Sequence, residues 1–213
     1  MGKTNKPKLL RNRPTANREK LNKIILGCFT ALSIVILLFA VCLYWIDANY
    51  IVLTVDGNSM KNTLLDGDVV LVEDDVAVQR GDVVIIDVRS YKSRDGFSED
   101  YIIKRIICME GDAVESRADG KIYVRYAGTT EFIPLHDEAY AIGELRHPIP
   151  YHVCEKNEIF FLGDNRTVSK DSSDPKVGSY HESDIVGVVP SWALSQKGLI
   201  KGLASILTLF GGR

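Results

Sequence analysis

The sequence predicts a mainly β fold: an antiparallel, partly closed, barrel-like β domain that follows one N-terminal transmembrane helix. Three observations support this prediction. Residues 24–46 form an apolar run of membrane-spanning length, short segments rich in Val, Ile, Tyr and Phe recur from about residue 50, and Asp-Gly, Gly-Asp and Asn-containing turns separate them. Many short strands with turn signals between them are typical of antiparallel structures that close partly on themselves.

Charge is distributed unevenly along the chain. The 213 residues carry a net charge of −2, so the total charge favours no nucleic-acid partner. Residues 1–23, however, hold eight Lys or Arg and one acidic residue, Glu19. This basic segment, which also contains Pro7 and Pro14, predicts a disordered tail on the cytoplasmic side of a membrane.

Residues 24–46 predict the transmembrane anchor. The run holds 23 residues without a charge, and as a helix it spans roughly 35 Å, enough for a ~30 Å hydrocarbon core. Tyr44 and Trp45 stand at its far end, where amphipathic rings prefer the membrane interface. Because the basic flank comes first, the sequence predicts a single-pass protein of the cell membrane whose remaining residues lie outside the cytoplasm.

A cleaved secretory signal is the alternative interpretation of this run. The apolar core of such a signal usually has about 7–15 residues and is followed by a small-residue cleavage site. The run here is longer, and Leu43-Tyr44-Trp45-Ile46 offers no such site. The prediction is therefore an uncleaved anchor.

Residues 47–196 predict the β-rich domain outside the membrane. Its segments of strand composition are 50–55, 68–73, 82–90, 101–108, 121–126, 158–162 and 184–189. Two other segments predict loops: 89–100 is polar and fits a flexible hairpin tip, and 135–153 contains Pro148 and Pro150 and is irregular.

The apolar C-terminal segment 197–213 is too short to span a bilayer. Its pattern fits a helix that lies on the membrane surface and also a helix that packs in the core. Periodicity alone does not separate these two interpretations.

The cysteines predict neither a metal site nor a fixed disulfide. Cys28 and Cys42 lie in the apolar run, where they are packing residues. Cys108 and Cys154 lie in the outer domain, and whether they form a disulfide stays open at this point. The sequence contains no C-x-x-C spacing, Gly-rich phosphate loop or Rossmann pattern, so no metal and no cofactor are predicted.

Ser59 and Lys104 are the residues that point to chemistry. Serine is a weak nucleophile until a base takes its proton, and a lysine becomes such a base when burial lowers its pKa. Lys104 stands in an apolar segment where, in a strand, it shares a face with Ile102, Ile106 and Cys108. On local pattern alone, the alternatives are a serine in an ordinary turn and a lysine that reaches solvent from a strand edge.

A polar segment after the strand at 158–162 is the third feature. Residues 163–174 are dense in hydroxyl and carboxylate side chains. They fit a polar surface loop, and they also fit a rigid hydrogen-bonded loop in which a hydroxyl fixes the direction of a lysine lone pair.

With these features taken together, the chain resembles a type I signal peptidase of the shorter, single-anchor kind found in Gram-positive bacteria. Four blocks match that family in order: 58–64 resembles the nucleophile block, 80–84 the next block, 104–112 the block of the general base, and 163–171 the last block. Together with the anchor, the resemblance covers roughly residues 24–190.

The resemblance implies a role for each matched residue. Ser59 is the nucleophile, its backbone N–H is part of the oxyanion hole, and Lys104 is the general base. Ser169 matches the serine that hydrogen-bonds the lysine, and Asp171 matches the aspartate that holds the last block in shape. The implied activity is removal of signal peptides, at a lipid bilayer, from exported preproteins with Ala-x-Ala-like cleavage sites.

Several positions depart from the family pattern. Asn62 and Glu110 stand where prolines are common, Cys108 where a glycine is common, and Ser173 where the family often has arginine. Ser173 thereby removes a charge partner from the Asp171 loop. A second hydroxyl, which some members carry two residues before the nucleophile, is replaced by a glycine at position 57.

Two other functions stay open. One is a processing protease with a few dedicated substrates, such as pilin-like or spore-associated proteins. The other is an inactive homologue that serves as a membrane scaffold, which the intact Ser59 and Lys104 disfavour. A soluble self-cleaving repressor would lack the anchor and the last block, and a serine/histidine relative would lack a lysine at the base position.

Overall fold

The structure, a computed structural model, describes residues 15–136 and 139–209. The first fourteen residues of the predicted cytoplasmic tail lie outside the described residues, as do residues 210–213 of the apolar tail. The chain divides into two compact units, of which the first ends at Ala48 and the second begins at Asn49.

A single long helix, α1, forms the described part of the first unit. It runs from Thr15 to Asn49 over 35 residues. Within it, Arg18–Ile46 is a segment of 29 residues that is apolar and long enough to cross a membrane, and none of its strongly apolar part is buried inside the structure. The structure thus contains an N-terminal apolar helix that is compatible with a membrane anchor.

The second unit is mainly β. The described strands are β1 Ile51–Thr54, β2 Val69–Val72, β3 Val83–Asp87, β4 Tyr101–Cys108, β5 Ala113–Ser116, β6 Ile122–Arg125, β7 Ile133–Pro134, β8 His152–Val153, β9 Glu158–Leu162, β10 Tyr180–His181 and β11 Ile185–Val189. Three helices accompany them: α2 Lys92–Asp95, α3 Ser191–Ser195 and α4 Lys197–Leu209.

Antiparallel pairing builds three sheets from these strands. The central sheet has the order β10-β9-β4-β3-β11, a second sheet has the order β7-β6-β5-β8, and β1 pairs with β2 in a two-stranded ribbon. Glu73 and Val188 exchange two backbone hydrogen bonds, which attach the end of β2 to β11. Within the described residues no sheet closes on itself, so the predicted mainly antiparallel, partly closed β architecture is confirmed.

All seven strands that composition predicts are present, six of them within one residue of their expected ends, while β3 ends three residues earlier than the predicted 82–90. The four strands that were not predicted are β5, β7, β8 and β10, three of which have only two residues. The predicted hairpin tip at 89–100 does connect β3 to β4, but it contains helix α2, which ends at Gly96 in the left-handed conformation with φ 69°. The described part of the predicted irregular segment 135–153 has no helix, but its last two residues form strand β8, which the sequence did not predict.

Apolar residues fill both faces of the central sheet. One cluster gathers Val84, Ile86, Ile102, Ile106, Ile159, Phe161 and Tyr180, and the other gathers Ile107, Cys108, Val114, Val124, Phe160 and Leu162. Cys108 therefore packs on the opposite face from Ile106, which corrects the expectation that both share a face with Lys104. The physical reason is a shift of register between Ile106 and Cys108 in the pairing of β4 with β9.

Helix α4 begins on the β domain. Ile200 is buried, and Lys197 donates to the carbonyl of Thr63 at 2.7 Å while pairing with Asp68 at 3.3 Å. Leu199, in the same turn, is exposed. One side of the first turns thus packs against the domain and the other side faces outward.

The backbone of Gly187 in β11 lies close to the end of β2. A Cβ atom at this position would lie 2.5 Å from the carbonyl oxygen of Glu73 and 2.7 Å from Val72 Cγ1. We therefore expect Gly187→Ala to lower the free energy of unfolding by about 1–3 kcal/mol, the usual effect of overpacking. The melting temperature of the purified chain, followed by near-ultraviolet circular dichroism, measures it.

The matched control is Gly198→Ala in α4, where a Cβ atom meets nothing within 4 Å. This variant is expected to melt at the wild-type temperature or slightly above it, since alanine is the better helix former. Equal melting temperatures for the two variants would contradict the proposed close contact between β2 and β11.

Candidate active site

Strand β4 places Lys104 beside Ser59. Lys104 is 4% exposed, and its Nζ lies 2.9 Å from Ser59 Oγ and 2.8 Å from the carbonyl oxygen of Ile103. Ser59 itself is partly exposed. The structure therefore brings the two residues predicted from sequence to hydrogen-bond distance across 45 positions of the chain.

Burial makes the Lys104 amine bind its proton less tightly than an ordinary lysine does. Loss of hydration lowers its pKa from 10.5 to about 8, although the negative charges of Asp171, Glu99 and Asp164 act in the opposite direction. Desolvation outweighs these charges because the whole side chain is enclosed. At pH 7 roughly a tenth of the molecules then carry a neutral amine, compared with about a third of a thousandth for a lysine in water.

The turn that carries Ser59 is held by hydrogen bonds from its neighbours. Gly57 adopts φ 87°, which favours glycine, and its N–H donates to Asp66 Oδ1 at 2.9 Å. The Ser59 N–H donates to no acceptor among the described residues. It is the backbone donor next to the hydroxyl, as an oxyanion hole requires.

Asn165 fixes this turn from the other side. Its N–H donates to the carbonyl of Ser59 at 2.9 Å, and its side-chain Nδ2 donates to the carbonyl of Asn58 at 3.2 Å. Gly163, two residues earlier, allows the close approach, because a Cβ there would lie 2.6 Å from the Ser59 carbonyl oxygen and would collide with the Ser169 hydroxyl. The polar segment after β9 is therefore a rigid support for Ser59 and not a surface loop.

Asp171 holds the same segment in shape. Its Oδ2 accepts the Gly163 N–H at 2.9 Å, and its Oδ1 accepts both the N–H of Ser173 at 3.1 Å and the Ser173 hydroxyl at 2.7 Å. The Ser173 hydroxyl thus gives Asp171 a hydrogen bond at a position where the family often has a charged arginine.

Ser169 lies in this segment, but its hydroxyl is not bonded to Lys104. Its Oγ is buried and has no hydrogen-bond partner among the residues the structure describes. The lysine amine instead donates to Ser59 and to its own strand at Ile103. The structure therefore leaves one buried hydroxyl beside the Ser59 support with its bonding capacity unused.

Three further residues join the blocks around the dyad, and the sequence analysis gave them no role. Arg105 forms a buried two-bond ion pair with Asp164, with nitrogen–oxygen distances of 2.9 and 2.6 Å. The Thr63 hydroxyl also donates to Asp164, and Arg105 donates to the carbonyl of Gly81 at 2.7 Å. Their positions in the sequence could have indicated a role, because each of them lies within one of the four blocks.

The other departures from the family pattern have local explanations. Asn62 adopts φ 95°, which proline cannot adopt, so the backbone here differs from that of a proline turn. The Glu110 carboxylate accepts the N–H of Asn157 at 3.0 Å and so ties two turns together. Cys108 and Cys154 are free thiols in the structure, and both are buried.

A cleft of about 700 Å³ leads to Ser59 and Lys104. One wall is the segment 53–58, and the other includes Ser98–Lys104, Val168 and Lys170. Strand β4 pairs with β9 only from Arg105 onward, and β1 pairs only with β2 among the described strands, so both walls present an unpaired backbone edge. The single group of described His, Cys and acidic side chains that could hold a metal lies outside this cleft.

Comparison with known proteins places these features in a family. A family model described as signal peptidase, peptidase S26, matches residues 24–193. Thylakoidal processing peptidase 1, chloroplastic, of Arabidopsis thaliana is 31% identical over 131 residues, which are 56% of this chain and 35% of that protein, so the chain spans about a third of its length. A crystal structure of a signal peptidase I from Enterococcus faecalis matches with 22% identity and a TM-score of 0.36, over 54% of this chain and 98% of that one.

The titration of Lys104 tests the electrostatics of this site. We expect the amine to lose its proton with a midpoint near pH 8, as the pKa of about 8 requires. In Glu99→Gln the midpoint should fall further, because the Glu99 charge raises the pKa of Lys104. Carbon NMR of the chain labelled at lysine Cε measures the midpoint, with Lys104→Met assigning the signal. A midpoint above pH 10 would contradict the buried, desolvated amine.

Proposed function

The chain belongs to the signal peptidase family, peptidase S26, and from this premise we propose that it is a membrane-bound serine endopeptidase that removes signal peptides from exported preproteins. The observation that carries the proposal is the 2.9 Å contact between Ser59 Oγ and the buried amine of Lys104. A nucleophile within hydrogen-bond reach of a base with a lowered pKa is the arrangement that acyl transfer needs.

In the proposed reaction the lysine accepts a proton twice and gives it up twice. Neutral Lys104 takes the proton of Ser59 as Oγ attacks the carbonyl carbon of the scissile bond. The Ser59 N–H stabilises the oxyanion that forms, and the protonated lysine then gives its proton to the leaving amine. The same lysine removes a proton from the water that hydrolyses the acyl-enzyme and returns it to Ser59 Oγ as the acid product leaves.

The substrate lies extended in the cleft in this proposal. The unpaired edges of β1 and of the first half of β4 offer backbone N–H and C=O groups on both sides of one added chain. The walls include aliphatic side chains such as Leu53, Val55 and Ile103, which suit small apolar residues. Preproteins with Ala-x-Ala-like sites fit this description.

The anchor and topology complete the proposal. Helix α1 would cross the cell membrane once, with the basic tail in the cytoplasm and the β domain, residues 47–196, outside it. The basic residues before Ile24 and the aromatic residues Tyr44 and Trp45 near the other end support this orientation. The lipid bilayer is then a partner of the enzyme as well as of its substrates.

A processing protease with few substrates is the second candidate. Asp56, Glu99 and Lys170 place charged side chains on the walls of the cleft, which would favour substrates with matching charges. An inactive scaffold is disfavoured, because a buried lysine beside a serine hydroxyl destabilises the fold without benefit unless the pair acts in catalysis.

Removal of either member of the dyad should abolish cleavage. We expect Ser59→Ala and Lys104→Met to lower the turnover of a preprotein with an Ala-x-Ala site by at least about 10²-fold. This factor is the lower end of the rate increase that a general base typically supplies. The assay follows the mature product on gels with purified chain in liposomes. Ser195→Ala, at an exposed position of α3 that does not line the cleft, is the matched serine control and should keep activity within a few-fold. Full turnover by Lys104→Met would refute the mechanism.

Ser169 provides a test that separates catalysis from folding. We propose that its unused hydroxyl hydrogen-bonds the Lys104 amine during the reaction and fixes its direction. Ser169→Ala should then lower kcat by about 10-fold or more, while the melting temperature stays equal or rises, because a buried hydroxyl without a partner costs about 1–3 kcal/mol.

Ser172→Ala is the comparison for Ser169→Ala. Ser172 Oγ accepts the N–H of Phe161 at 3.0 Å, so its loss should lower the melting temperature. A Ser169→Ala variant that loses stability and keeps its kcat would contradict the positioning role.

A further inference from the structure

A group of three metal-ligating side chains lies apart from the cleft. His152, Cys154 and Glu158 each bring one donor atom to within 4.8 Å of the other two. His152 is in β8, Cys154 follows two positions later and so projects to the same side, and Glu158 opens β9. The turn between them contains Asn157 at φ 58°, which Glu110 holds by a hydrogen bond.

The three donors meet at a boundary between core and solvent. Cys154 is 2% exposed and belongs to the apolar cluster on one face of the central sheet, whereas His152 and Glu158 are partly exposed. His152 Nε2 lies 3.5 Å from Glu158 Oε1. The hydroxyl of Ser179 contacts both, at 3.2 Å from His152 Nε2 and in a short hydrogen bond to Glu158. An ion can reach such a site from solvent and still touch a buried sulfur.

We propose that His152, Cys154 and Glu158 bind one Zn²⁺ ion. Nitrogen, sulfur and carboxylate oxygen are the donors that zinc accepts, whereas Mg²⁺ and Ca²⁺ require oxygen sets. Donors around tetrahedral zinc lie roughly 3.3–3.8 Å apart, given bonds of about 2.0–2.3 Å. The present separations, up to 4.8 Å, therefore need a contraction of about 1 Å, which side-chain rotation supplies.

Cys154 supplies the buried sulfur donor of the three. When zinc binds, the S–H bond breaks, the proton passes to solvent and the thiolate bonds to the metal. A water molecule completes the fourth position, and Ser179, which contacts both polar donors, orients them from the second layer.

The proposed ion is structural and independent of the Ser59 reaction. It joins the end of β8 to the start of β9, and through Ser179 it reaches the segment before β10. These connections link the two larger sheets. Zinc should therefore raise the melting temperature, because a ligand that binds the folded chain stabilises it by mass action.

The test uses the untagged full-length chain in detergent, reduced and freed of metal with a chelator. Titration calorimetry with ZnCl₂ should find one equivalent bound, and Co²⁺ in its place should give a thiolate charge-transfer band in the near ultraviolet. The dissociation constant for Zn²⁺ should rise at least about 100-fold in His152→Gln and Glu158→Gln, and about 10-fold in Ser179→Ala.

Matched controls use the same residue types outside the group: His147→Gln, Glu155→Gln and Cys28→Ala, the last at an exposed cysteine of α1, should all bind zinc like the wild type. Because Cys154→Ala removes a core side chain and can unfold the chain, the outcome is judged from the variants of His152 and Glu158, which are partly exposed. No zinc binding by the wild type overturns the proposal. Unchanged affinity in Glu158→Gln and His152→Gln, or a cobalt spectrum without the thiolate band, overturns it as well.

Discussion

The buried ion pair between Arg105 and Asp164 is the contact on which the arrangement of the site depends. It joins β4 to the segment after β9, and the Thr63 hydroxyl adds the nucleophile segment to the same carboxylate. Breaking one partner of such a pair typically costs about 3–5 kcal/mol, because the other charge is left buried. Since neighbouring residues of a strand face opposite ways, fixing Arg105 on one face of β4 also fixes Lys104 on the other.

The buried lysine imposes the main energetic constraint on this arrangement. A pKa of about 8 in place of 10.5 means that enclosure disfavours the charged amine by about 3 kcal/mol. Between these two pH values the unfolded chain binds more protons than the folded chain, so the free energy of unfolding increases as the pH rises from 8 to 10.5. Below pH 8 the penalty is present in full. The fold therefore tolerates at neutral pH a residue that destabilises it.

The sequence predicts the parts of this protein that depend on local pattern. Strands β1, β3, β4 and β9 are rich in β-branched or aromatic residues, and the order of the four blocks draws attention to Ser59 and Lys104. The short strands β7, β8 and β10 escape prediction because pairing partners distant in sequence, and not their own two residues, create them. The face of Cys108 was predicted wrongly, since a register shift is a property of two strands together.

The support of the nucleophile could not be predicted for a similar reason. Asn165 and Asn58 are 107 positions apart, and nothing in either segment indicates that one amide holds the carbonyl of the other. The three side chains of the proposed zinc site could likewise not be assigned from the sequence, because His152 and Cys154 lie near Glu158 only once β8 and β9 are in place.

The cleft has unpaired strand edges because β4 is paired with β9 along only part of its length. An exposed strand edge invites unwanted pairing, and proteins usually cover it or keep it short. Here β9 covers β4 from Arg105 onward, where the ion pair needs a fixed strand, and leaves the first four residues of β4 uncovered beside β1. Both edges are short and face each other across the cleft, so an added chain must be extended and single. The pairing of β4 with β9 begins at Arg105, so the Lys104 amine stands at the boundary between the open edge and the rigid sheet.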